Sequence, residues 1–148
     1  MRVEAVGAVD TYDLRRRVLR DGRPDAVVAF PEDGRPGAFH LAVRWEDGGD
    51  LVAVASFSPE PAPSRPGRRA VHLRGMAVDQ AVQRGGVGRY LFQTAVARLR
   101  QDGVEVLWAN ARDGALGFYR RLGMEVVGDG FILPESGIPH HVVVLDLG

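Results

Sequence analysis

Between two apolar stretches the chain reads Gln83-Arg84-Gly85-Gly86-Val87-Gly88-Arg89, and no other segment constrains the fold as strongly. Ahead of it, Ala70 to Val78 reads as a strand. Behind it, Val87, Leu91, Ala95, Val96 and Leu99 form one apolar stripe at helical spacing, over a helix from Val87 to Arg100. Gly103 stands where that helix closes, and Val104 to Ala109 reads as a buried strand. Strand, glycine turn, helix and strand together imply a mixed sheet with a parallel portion, because parallel neighbours need such a crossover. The glycines also let backbone N–H groups point into one concavity at the positive end of a helix dipole. That makes a site for a pyrophosphate-sized anion, with Arg84 and Arg89 beside it. The plainer reading is a tight turn that needs glycine only for its backbone angles.

Composition narrows the choice of anion. All 19 basic residues are Arg; Lys and Cys are absent, and 19 acidic residues bring the net charge to zero. Without Lys there is no P-loop and no Schiff-base chemistry. Without Cys there is no thiol nucleophile, disulfide or Cys-ligated zinc. Zero net charge argues against a general nucleic-acid binder. The dinucleotide fingerprint also fails, since Leu91 holds the place of its third glycine and Asn110 the place of the expected acid.

The 148 residues suit one domain, 1–148. Val3 to Val6 reads as a short strand and residues 11–20 as a helix, while 21–37 are broken by Gly and Pro into loop. Phe39 to Trp45 and Leu51 to Phe57 flank a Gly-Gly turn as a hairpin. Pro59 to Pro66 reads as an exposed loop, and Asp113 to Leu122 as a short helix that Gly123 ends. A strand begins at Val126, residues 134–139 form a loop, and His141 to Leu147 closes the chain as a strand. The N-terminal residues carry no long apolar region, and no apolar run approaches the roughly 20 residues of a membrane span, so the expected setting is cytoplasmic, without membrane contact.

Gln83-Arg84-Gly85-Gly86-Val87-Gly88 resembles the Q/R-x-x-G-x-G/A signature of the GNAT superfamily of N-acetyltransferases. Ala115-Leu116-Gly117-Phe118-Tyr119-Arg120-Arg121-Leu122-Gly123-Met124 is similar to that family's second motif, A-x-x-F-Y-x-x-x-G-F, with Met in the last aromatic position. Order and spacing match over about residues 40–147. The resemblance implies an α/β (α+β) GNAT fold: a mixed central sheet of about six to seven strands, splayed at the cofactor and flanked by helices. It implies acetyl-CoA as co-substrate. The pantetheine arm would pair with the backbone of Met76, Ala77 and Val78, and the pyrophosphate would lie on the loop formed by Gln83, Arg84, Gly85, Gly86, Val87, Gly88 and Arg89. A bulge at Gly75 would free an N–H to polarise the thioester carbonyl. Tyr119 is the implied proton donor to the departing thiolate; on spacing alone it simply packs. Where relatives carry Asn, seven residues before the tyrosine, this chain has Arg112; Asn110 is its single Asn and the candidate for the pantetheine contact, the alternatives being Arg112 at a CoA phosphate or either residue as a cap of the following helix.

A proton acceptor for the amine is expected among His40, His72, His140, His141 and strand carboxylates such as Glu105. His140 is the choice, because Pro139-His140-His141 joins a glycine-bearing loop to the last strand on the expected substrate side. Adjacent strand residues point to opposite faces, so the paired His do not suggest a metal, and none is expected. Arg15, Arg16, Arg17 and Arg20 read as a solvated helix face, or alternatively as a holder for an anionic group on the acceptor. The expected activity is acetyl transfer to a primary amine of a small acceptor by direct attack in a ternary complex. A non-catalytic acyl-CoA sensor is the alternative. The oligomeric state stays open, with a homodimer as one option.

Overall fold

Seven strands form one open sheet in the order β1-β2-β3-β4-β5-β7-β6 in a computed structural model that describes residues 1–148. The strands are β1 (Arg2–Val6), β2 (Phe39–Arg44), β3 (Leu51–Pro59), β4 (Ala70–Val78), β5 (Val106–Arg112), β6 (Glu125–Leu133) and β7 (Ile138–Asp146). Only β4 and β5 are parallel; every other pair is antiparallel. The crossover between them is the helix Val87–Gln101, and the first and third helices are Tyr12–Leu14 and Leu116–Arg121; we call these α2, α1 and α3. No helix is long and apolar enough to cross a membrane.

The larger core lies between α2 and the sheet. Leu91, Phe92, Ala95 and Leu99 of α2 pack on Leu41, Phe57, Val71, Leu73 and Leu107, all buried. Each Leu, Val or Phe among them contributes about 1.5–3 kcal/mol by leaving water, which fixes α2 against the strands it connects. On the opposite face, Leu14 packs on Ala42, Val54 and Ala77, and Ala62 packs with Ala70, Val106, Trp108 and Val144. Ala62 sits in the proline-rich segment expected to be exposed. Its burial shows that this loop covers the second face of the sheet beside β4 and β5.

Two further expectations change in detail. The helix expected over 11–20 opens as a 3-10 turn (Ala8–Thr11), passes through α1 and continues with π-helical hydrogen bonding over Arg15–Leu19. The widened turn lets consecutive residues, Leu14 and Arg15, both point inward. The loop expected over 134–139 is shorter, because Ile138, Pro139 and His140 already belong to β7. Pro139 is tolerated there because β5 ends at the pair Arg112↔His140. On that side no ladder partner waits for its missing N–H.

Candidate active site

β4 and β5 are in register only at Ala70↔Val106, Val71↔Leu107 and His72↔Trp108. Beyond His72 they part, and β4 runs on to Val78 and β5 to Arg112 without pairing to each other. The outer edge of β4 there offers strand backbone to an extended chain of another molecule. On its inner edge β4 pairs Ala77 with Val54 and Arg74 with Ser56, so two residues, Gly75 and Met76, oppose Ala55 alone. This is the bulge expected at Gly75, whose φ is +60°. The extra residue reverses the alternation of side chains: Val71, Leu73, Met76 and Val78 face α2, while Ala77 faces α1. Any Cβ at position 75 would stand 2.9 Å from the Phe30 ring and 3.0 Å from Arg15 Nε.

The glycine loop follows at the end of β4. Gly86 (φ +81°) and Arg84 (φ +70°) take left-handed backbone conformations, and Gly86 is the N-cap of α2. The N–H groups of the first turn have no intrahelical partner, and no carboxylate sits in that turn. Not every residue of the motif turns to the same task. The Gln83 side chain donates from Nε2 to Val78 O (3.0 Å) and ties the loop to β4. Gly88 is a packing glycine, since a Cβ there would meet the Phe118 ring at 3.1 Å and Val78 at 3.3 Å. Arg89 donates from Nη2 to Arg121 O (2.9 Å) at the end of α3 rather than standing free beside the loop.

α3 brings Tyr119 to the same side, against the α2 core, with the Phe118 ring edge-on at 5.3 Å. Burial pushes the Tyr119 phenol up to about 12, and the Arg112 guanidinium works against that shift. At neutral pH the Tyr119 phenol therefore stays protonated.

The other face of the parted sheet is polar. Alternation along β5 puts Asn110 and Arg112 on the face of Trp108. The register Phe131↔His140↔Arg112 sets these three side chains in one row across β6, β7 and β5. His140 Nδ1 lies 2.7 Å from Ile138 O, so Nδ1–H donates and the lone pair of the neutral ring is on Nε2. His141 points the other way, to Asp113 Oδ1 at 2.7 Å.

The remaining histidines are structural. His72 stacks on Trp108 (centroids 3.9 Å) and contacts Glu60 Oε2 at 2.6 Å. Burial, aided by Arg74, lowers its pKa to about 4, so the contact is a neutral N–H donating to a carboxylate. Burial works against the Glu60 charge, yet His72 and Arg74 hold its carboxyl below the usual range. His40 Nδ1 meets Ser56 Oγ at 2.7 Å, and Ser56 Oγ in turn accepts from Arg15 Nη2 at 2.7 Å. Glu105 binds Arg68 and the Arg69 N–H just before β5, at the end away from the parting.

The arginine run is not a uniformly solvated face. Arg15 is 1% exposed and makes a two-point contact with Asp33 (2.8 and 2.9 Å), while another N–H reaches Val28 O at 2.7 Å. Arg17 pairs with Asp13 and Asp79. Sequence reasoning missed Asp33, Ser56, Glu60 and Arg74. They lie on strands, in the 21–37 segment or, for Glu60, just past β3 in the proline-rich loop, with no local pattern, and only the fold gathers them.

An open mixed sheet that parts between two parallel strands, beside a glycine loop and a helix start, defines the architecture of acyl-CoA-dependent transferases. Residues 8–124 match the model of the acetyltransferase (GNAT) family, and the chain belongs to that family. It is 35% identical over 144 residues to a Bacillus subtilis (strain 168) protein described as uncharacterized N-acetyltransferase YitI, covering 97% of this chain and 94% of that one. Among solved structures it is similar to FeeM, an N-acyl amino acid synthase from uncultured soil microbes (TM-score 0.80, 14% identity, 99% of this chain and 95% of that one). It is also similar to an aminoglycoside 6'-N-acetyltransferase complexed with coenzyme A (TM-score 0.75, 13% identity, 100% and 98%).

Proposed function

We propose that the protein transfers an acetyl group from acetyl-CoA to a primary amine of a small acceptor, by direct attack within a ternary complex. The observation that carries this reading is the parting of β4 from β5, with the Gly75 bulge inside it, the glycine loop at one end and Tyr119 alongside. The residues fit the co-substrate. The backbone of Met76, Ala77 and Val78 pairs with the pantetheine amides as an added strand, and Asn110 belongs to the stretch of β5 that borders the same gap. The N–H groups from Gly86 to Arg89 receive the pyrophosphate. Gln83, Gly85 and Gly88 shape the loop, and Arg84 adds charge.

The bulge at Gly75 presents an N–H to the thioester oxygen as negative charge develops on it. The amine nitrogen bonds to the carbonyl carbon and the C–S bond breaks. The departing thiolate takes the proton of Tyr119, and His140 Nε2 accepts the proton lost by the amine. The absence of Cys excludes an acetyl-cysteine intermediate, which favours the ternary complex.

Acetyl-CoA at about 100 times its Kd should stabilise the fold by about 2.7 kcal/mol, a rise of roughly 5–10 °C in Tm for a chain of this size. Thiol release should follow on adding a suitable amine from a screen of amino acids, polyamines, amino sugars and peptides. Stabilisation without release on any amine would favour the sensor role, and no stabilisation at millimolar acetyl-CoA would defeat both.

A further inference from the structure

Arg20 and Arg112 come from elements 92 positions apart in sequence, the end of the first helical segment and the parted end of β5. Both donate to one oxygen: Arg20 Nη1 and Arg112 Nη2 each lie 3.2 Å from Leu19 O. Arg23 joins them, donating from Nε to Arg20 O at 3.3 Å. Guanidinium groups gathered so closely repel one another, and no carboxylate sits among them to offset that repulsion. Arg15, Arg17 and Arg74 each have a carboxylate within 4.0 Å, whereas Arg20, Arg23 and Arg112 have none. Arg20 and Arg112 are also partly buried, so solvent screens their charges poorly. Burial and the nearby charges of Arg112, Arg23 and Arg15 lower the pKa of Arg20, as expected for a cation lacking its counter-ion.

Position decides which anion belongs there. The phosphate-sized site at the start of α2 lies at the end of β4, where Gly88 packs against α3. The Arg112 side chain is on the opposite face of the sheet, reaching the first helical segment, in one row with His140. Arg112 is also close enough to Tyr119 to influence its pKa. The pair thus shares a sheet face with His140, the residue that in the proposed reaction takes the proton lost by the amine.

Building on the acetyltransferase reading, we infer that Arg20 and Arg112 bind the carboxylate of the acceptor, which is an amine of the amino-acid class. Two guanidinium forks on one carboxylate make charge-assisted hydrogen bonds that a neutral amide cannot match. Across adjacent strands, directly opposed residues are about 5 Å apart at Cα, a span that suits an amine and a carboxylate on one small molecule.

The test compares each amino acid with its own primary amide as acceptor. The acid is expected to exceed the amide at least tenfold in kcat/KM for the preferred side chain. Arg112→Gln and Arg20→Gln should each bring that ratio close to one, while KM for acetyl-CoA stays within twofold. A second measurement needs no variant: in the presence of CoA, an N-acetyl amino acid should raise Tm where its N-acetyl amide does not. Amides reacting as well as acids would overturn the inference and leave acetyl transfer standing. A raised KM for acetyl-CoA with the acid preference intact would assign the pair to the cofactor and overturn it too. Absence of any stabilisation by acetyl-CoA would remove the underlying reading, and the inference with it.

Discussion

At the scale of single residues, Tyr119 and Gly75 show how environment converts an ordinary residue into a candidate for chemistry. Tyr119 sits on an apolar helix stripe, and the burial that makes it look like core also keeps its phenol protonated. Tyr119→Phe should leave KM for acetyl-CoA nearly unchanged and lower kcat at least tenfold, as steady-state thiol release would show. Equal kcat in the variant would exclude Tyr119 as the acid. Gly75 has a positive φ, and its α-carbon is covered by Phe30 and Arg15. Gly75→Ala should cost roughly 1–2 kcal/mol from backbone conformation alone, more if Phe30 cannot yield, measured by urea unfolding. The same substitution should lower kcat, because the bulge cannot keep its geometry.

At the scale of elements, the π-helical turn after α1 and the segment from Val28 to Asp33 are held together through Arg15. Its guanidinium binds Val28 O, both oxygens of Asp33 and Ser56 Oγ, with the Phe30 ring 3.9 Å away. A loop without a strong pattern of its own is thus fastened over the Gly75 bulge. Burial opposes the Asp33 charge, but Arg15 and the Phe30 N–H hold its carboxyl below the usual range. Arg15→Gln leaves that carboxylate buried without its cation and should cost about 3–5 kcal/mol in urea unfolding. A loss under 1 kcal/mol would show that the segment is held by something else.

At the scale of the whole molecule, the interior polar groups couple the fold to pH. His72 is neutral when folded, with a pKa of about 4 against an unfolded value near 6.5. The unfolded chain binds the extra proton between those values. The contribution is therefore complete above about pH 6.5 and is lost as pH falls toward 4, at about 1.4 kcal/mol per unit and roughly 3 kcal/mol in all. Glu60 acts below that window, since its folded pKa is depressed and its stabilisation goes only in stronger acid. Unfolding free energy measured from pH 7 to 4.5 should fall in the wild type and run flatter in His72→Gln.

Much of this architecture was legible in the chain itself. Ala70 to Val78, the glycine loop and the helix that follows could be read because their signals are local: apolar period, glycine at a turn, a stop at Gly103. Tyr119 and His140 were legible as candidates through the motif around one and the Pro-His-His segment around the other. What the local signals could not carry was partnership. A charged residue reads as solvated until its surroundings are known, and burial is a property of the fold. Thus Arg15 proved to be interior, Arg89 to cap α3, and Gly88 to serve packing. The meeting of Arg20 with Arg112 was equally hidden, since nothing in the residues between them marks two cations that will share one carbonyl oxygen. Backbone period and turn chemistry act over a few residues, so the sequence alone determined the central strand, the glycine loop and the helix that follows it. Charge pairing, desolvation and the parting of β4 from β5 depend on contacts across the sheet, and only the tertiary structure decided them.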